Sequence, residues 1–206
     1  MRRLSKDGLA FHAHCPPITT EAFGLVVEAA ESQQELPVLG QSQDHYPSWQ
    51  IGKSQAPLCL TLNPTAPWSE LHVSIEDPHL EEYGAERLVR LLAWLSDEIG
   101  ARLGRTTPVA APGFVNPAEL DGDVAFVDWF QYWAEPIIRR WGIPRLASGP
   151  FHRVEVRRND ACLLLLTAEP DDPMMSRQSA ASYLGIDLPP IYTQIVPGKR
   201  IQVPWR

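Results

Sequence analysis

Behind an alternating segment, in which Val154 and Val156 are interleaved with Arg153, Glu155 and Arg157, the chain runs through an unbroken apolar stretch, Cys162-Leu-Leu-Leu-Leu166. Alternation gives a strand one wet face and one dry face, whereas a continuous apolar run needs cover on both. The two segments therefore predict an outer strand paired to a central one, turned at Arg158-Asn-Asp160. This commits the chain to a sheet with a dry interior. Ahead of it, Asp128-Trp-Phe-Gln-Tyr-Trp-Ala-Glu-Pro-Ile-Ile-Arg-Arg-Trp141 packs three of the seven tryptophans into the thirteen residues from Trp129 to Trp141. Phe126, Phe130, Trp133, Ile137 and Trp141 recur there at spacings of three or four, a helical stripe. Pro136 cannot donate to a helical ladder, so a kink or restart is expected near Glu135.

The remaining elements follow from local signals. Leu9–Cys15 reads as a first strand, stopped by Pro16-Pro17. Thr19 or Thr20 caps a helix to about Gln34, with Phe23, Val26, Val27 and Ala30 at helical spacing. The Pro-, Ser- and Gln-rich region from Glu35 to Ala56 offers one strand, Ser48–Gly52, and two more follow at Leu58–Leu62 and Leu71–Ile75. Asp77-Pro78 is an N-cap acid followed by proline, and predicts a long helix whose stripe Leu88, Leu91, Leu92, Leu95, Ile99 and Leu103 ends at Gly104. From Arg105 to Gly122 an ordered loop is expected. Met174–Leu184 reads as a short helix stopped by Gly185, and Tyr192–Val196 with Arg200–Val203 as a last hairpin. This order predicts one α+β domain over residues 1–206, with a largely antiparallel sheet and helices packed mainly on one face.

Charge limits the function classes. A net charge of −7 with pI near 5.3 argues against a general nucleic-acid binder, which needs clustered Lys and Arg, and favours a basic partner. Between Glu70 and Glu135 thirteen acids face four bases, enough to steer a cationic ligand if the acids are free. Cys15, Cys59 and Cys162 fit neither a disulfide framework nor a zinc site and read as buried thiols in a reducing compartment. With no signal-peptide pattern and no apolar run long enough for a membrane span, a cytoplasmic protein is expected. His12 and His14, two apart on a strand, point to one face and could share a metal, so a small metal-dependent hydrolase is the alternative reading. The ordinary role for such a pair is two strand histidines. There is no GxSxG, P-loop or GxGxxG motif, and neither a cofactor nor catalysis is expected. Arg157-Arg158 and Lys199-Arg200 read as solvated charges that blunt strand edges.

The opening strand and capped helix, the Trp-Phe-x-Tyr-Trp segment followed by Trp141-Gly-Ile-Pro144, and the hairpin ending Leu166-Thr-Ala-Glu-Pro-Asp-Asp-Pro173 resemble the immunity protein 52 family. Its members are small cytoplasmic antidotes encoded beside bacterial polymorphic toxins, including a type VI secretion nuclease. Pro136 departs from the family's pattern in the aromatic segment. The resemblance implies stoichiometric inhibition of a cognate toxin, a basic nuclease domain, without turnover. Glu119, Asp121, Asp123 and Asp128 are then the candidate acids for toxin binding, with Asp171 and Asp172 as a second patch. Trp129 and Tyr132, which fall off the buried stripe, are the candidate exposed anchors.

Overall fold

β1, Leu9–Cys15, is the strand around which the sheet is built, pairing antiparallel with β5, Ser69–Ile75, on one side and β6, Leu103–Pro108, on the other. In the computed structural model, which describes residues 8–43, 46–64, 67–75, 82–108, 117–170 and 174–188, the other strands are β2 Val38–Ser42, β3 Ser48–Lys53, β4 Ala56–Asn63, β7 Phe130–Trp133, β8 Arg153–Val156 and β9 Cys162–Leu165. Together they form one nine-stranded sheet in the order β2-β3-β4-β5-β1-β6-β7-β9-β8. Every recorded pairing is antiparallel. The α+β class and the antiparallel sheet are as expected.

Side chains alternate across a strand, so each face has its own core. On one face Leu9, Phe11, Ala13 and Cys15 of β1 meet two long helices: α1, Thr20–Gln34, through Phe23, Val27 and Ala30, and α2, Ala85–Glu98, through Leu88, Leu91, Leu92 and Leu95. Thr19 caps α1 by accepting from the Ala22 amide at 3.2 Å. On the opposite face, over the β6–β9 half, Trp133, Cys162 and Leu164 pack under four shorter helices. These are α3 Pro117–Leu120, α4 Glu135–Ile138, α5 Ile143–Ala147 and α6 Met174–Leu184. β9 is thus dry on both sides, as its unbroken apolar run requires, and β8 is the sheet edge.

Four segments differ from the sequence expectation, one being the loop expected from Arg105 to Gly122, which holds most of β6 and the short helix α3. The aromatic stretch is not one helix: Phe130–Trp133 is β7, buried on both faces, and the chain restarts as α4 with Pro136 in its first turn. A strand dry on both sides has no period, and large residues three or four apart there imitate a helical stripe. The α2 stripe ends at Glu98, where Gly100 adopts φ +62° and the chain turns back. Gly104 therefore does not end a helix. It lies in β6 opposite Ala13, where a Cβ would come within 2.9 Å of the Phe11 ring. Finally, the polar region after α1 contains the additional strand β2. The Asp77-Pro78 helix start and the last hairpin lie outside the described residues.

Candidate functional site

The structure separates the candidate binding residues. Asp121 and Asp123 are open to solvent, with side chains 82% and 79% exposed, but each is held in an ion pair, with Arg102 and Arg140 respectively, both at 3.3 Å. Glu119 and Asp128 are buried, at 1% exposure each. Glu119 accepts from the Ala125 amide at 3.1 Å and faces Arg105 at 3.5 Å. Asp128 accepts from Arg177 of α6 at 3.1 Å, while Arg177 also donates to the Val127 carbonyl at 2.8 Å. Burial pushes the Asp128 carboxyl up, against the pull of the Arg177 and Arg105 guanidiniums. These two acids tie the 117–128 segment to the fold and present nothing to a partner. Trp129 and Tyr132 are likewise buried, at 2% and 3%. The Trp129 indole donates to the Thr167 carbonyl at 3.0 Å, and the Tyr132 hydroxyl donates to Asp97 of α2 at 2.8 Å. The anchor assignment is corrected: these rings fall off a helical stripe only because they lie in and beside a strand that is covered on both faces. Asp171 and Asp172 lie outside the described residues.

The acid-rich middle of the sequence is largely neutralised in three dimensions. Glu86 pairs with Arg153 at 2.8 Å, Asp97 with Arg157 at 2.6 Å and Glu98 with Arg158 at 3.1 Å. The Arg157-Arg158 pair, expected as free edge charge, thus binds the α2 carboxylates. A different acidic surface remains. α1 carries Glu21, Glu28 and Glu31 and no base. None of the three is in an ion pair with a described residue. The Glu21 carboxyl is held low by hydrogen bonds from its own amide and from Thr19. Glu21 and Glu28 line a groove of about 340 Å³ between α1 and the β2–β3 end of the sheet, together with Gly24, Leu25, Gln41 and Trp49.

On the sheet face opposite α1 and α2, register aligns Thr61, His72, His12, Arg105 and Gln131 in one row across five adjacent strands. His12 and His14 share a face, as their spacing predicts, and β5 brings Glu70 and His72 beside them. His12 Nδ1 is 3.2 Å and His14 Nε2 3.8 Å from the same Glu70 carboxylate oxygen. The His12 and His72 rings lie 4.6 Å apart. Burial pulls His14 below its ordinary range, with help from His12 and Arg105 and against Glu70. Burial also lowers His72. Glu70 is desolvated too, but the His12 hydrogen bond and the nearby histidines hold its carboxyl low. Among the described residues no group of three His, Cys, Asp or Glu side chains is placed to hold a metal ion. The thiols are shielded in turn: burial raises Cys15 to about 12 and Cys162 to about 11, while Cys59 is half-buried. Among the described residues no helix is long and apolar enough to cross a membrane.

Fold and surface together define an α+β protein: one broad antiparallel sheet, two long helices on one face, and a carboxylate-lined groove at one end. The Pseudomonas aeruginosa T6SS protein PA0821 shares this fold, with a TM-score of 0.57 at 11% identity over 86% of this chain and 75% of that one. The regulatory subunit of aspartate kinase from Thermus thermophilus, at 9% identity over 88% of this chain and 91% of that one, reaches a TM-score of only 0.28. The aspartokinase alpha and beta subunits reach 0.22 at 9% identity over 88% and 95%, and both values are too low to mark a shared fold. No family model and no curated protein matches the chain.

Proposed function

We propose that this chain is an immunity-type inhibitor that binds a cognate bacterial toxin, a basic nuclease domain, in a stoichiometric complex and turns over no substrate. The observation that carries this reading is the fold shared with a T6SS protein across most of the chain. Net charge supports it: a chain at −7 is attracted over long range to a nuclease whose cleft must be basic to hold phosphates. An antidote to a nuclease acts where the nucleic acid is, in the cytoplasm.

The test is binding and protection by the full chain. The toxin encoded beside it is produced as a catalytically inactive variant and titrated calorimetrically, and the active toxin is assayed with and without the chain. A one-to-one complex that weakens with added salt and abolishes nuclease activity is expected. Absence of any complex would overturn the reading. So would a hydrolytic turnover by this chain that is lost on replacing His12 or His14 with folding intact.

A further inference from the structure

We propose that the groove between α1 and the β2–β3 edge is the docking surface, and that its occupant is a basic, extended segment of the partner protein. The inference rests on the inhibitor reading for the partner's identity, but on the groove's own features for its location. The first feature is charge. Asp121, Asp123, Glu86, Asp97 and Glu98 each face an arginine of the same chain. Their fields are cancelled at short range, so they offer an incoming cation little. Among the described residues Glu21 and Glu28 have no such partner, and none of those lining the groove is a Lys or Arg.

The second feature is exposed apolar surface at the same place. Leu25 is 66% exposed on the wall of the groove, next to Gly24, around whose absent Cβ nothing lies within 4 Å. A glycine inside a helix is unfavourable relative to alanine, and here no contact with the described residues requires it. What it provides is room for another backbone to approach the helix. The third feature is β2, the last strand in the sheet order among the described residues. Val38-Leu-Gly-Gln-Ser42 carries no charge and no proline, the usual guards of an edge strand against pairing with another chain. Its bulge between Val38 and Gly40 leaves Leu39 37% exposed. An edge of this kind recruits an extended segment through main-chain hydrogen bonds, while the neighbouring groove selects its side chains. Carboxylates beside an exposed leucine select a segment in which basic and apolar residues alternate. A second copy of the chain is a poor occupant, because it would set the Glu21, Glu28 and Glu31 faces of two anions against one another.

Two measurements test this on the full chain. A short peptide alternating lysine with valine, and its glutamate–valine counterpart, are titrated while hydrogen exchange is followed. The lysine–valine peptide is expected to slow exchange at residues 38–42, and the glutamate–valine peptide to leave it unchanged. Glu21→Lys with Glu28→Lys is expected to weaken that peptide by about tenfold, and Asp121→Asn with Asp123→Asn to leave it intact. Equal effects of both peptides would overturn the proposal. It would also fall if the amides of residues 38–42 that point away from β3 were already protected in the free chain, through occupancy by the chain itself, or if their protection grew with protein concentration, through a second copy. The neighbouring toxin separates this idea from the functional reading. Full toxin affinity in the Glu21→Lys, Glu28→Lys variant sinks the groove and leaves the inhibitor standing. A toxin that ignores the wild-type chain sinks the inhibitor, while the peptide titration still judges the groove.

Discussion

Trp133 shows what a single residue contributes to this fold. It is fully buried, and its ring stacks on Trp141 at 5.2 Å between centroids. The Trp141 indole in turn donates to the Leu184 carbonyl at the end of α6 at 2.9 Å. One ring thus joins β7 to the short helices of the second face. Trp133→Ala should cost about 3–5 kcal/mol as a large-to-small core change, read as a lower denaturant midpoint; a midpoint equal to wild type would place the ring outside the core. Gly104 poses the opposite problem, because the site has too little room for any side chain. Gly104→Ala should destabilise by about 1–3 kcal/mol through overpacking against Phe11, whose ring is pinned edge-on to Phe130 at 5.5 Å. Unchanged stability in that variant would show that Phe11 can move aside.

At the scale of elements, legibility followed locality. α1 was readable because its cap and its apolar spacing are written within a few residues. The β8–β9 pair was readable because alternation and continuity contrast along the chain. β7 was not, since its dryness on the second face comes from α4 and α6, which lie later in the sequence. β6 was hidden in the same way: Leu103 continues the leucine spacing of α2, and only the turn at Gly100 separates them. The candidate site was legible only in part. That Asp121 and Asp123 are exposed follows from their turn composition. That Arg102 and Arg140 neutralise them, and that the α1 carboxylates are left over, depends on partners brought together by folding. α1 itself carries a testable consequence of its role. Gly24→Ala should raise stability by about 0.5–1 kcal/mol, because it lowers the entropic cost of the helix and meets no neighbour. The same change should weaken the lysine–valine peptide, so a gain in melting temperature without a loss of binding would leave Gly24 with no docking role.

Over the whole molecule, charge is partitioned by depth. Ion pairs at the surface link α2 to the β8 turn, buried ones link β6 and the 117–128 segment to α3 and α6, and the histidine row crosses the sheet between them. The histidines on this face of the sheet make stability depend on pH. His14 and His72 have folded pKa values lowered from 6.5, so the unfolded chain binds protons first. Their contribution is complete above pH 6.5 and is lost as the pH falls from 6.5 through the folded values. Glu70, lowered from 4.5, acts in the same sense further down: its contribution is present above 4.5 and is lost as its folded carboxyl is protonated. Asp128 opposes them, because burial raises its carboxyl and acidification relieves the cost of holding it charged. The melting temperature should therefore fall between pH 7 and pH 5, ahead of the general loss of carboxylate pairs. His14→Gln with His72→Gln should flatten that limb. A wild-type curve that is level across this interval would mean that the histidines are solvated enough to keep their ordinary affinity for protons.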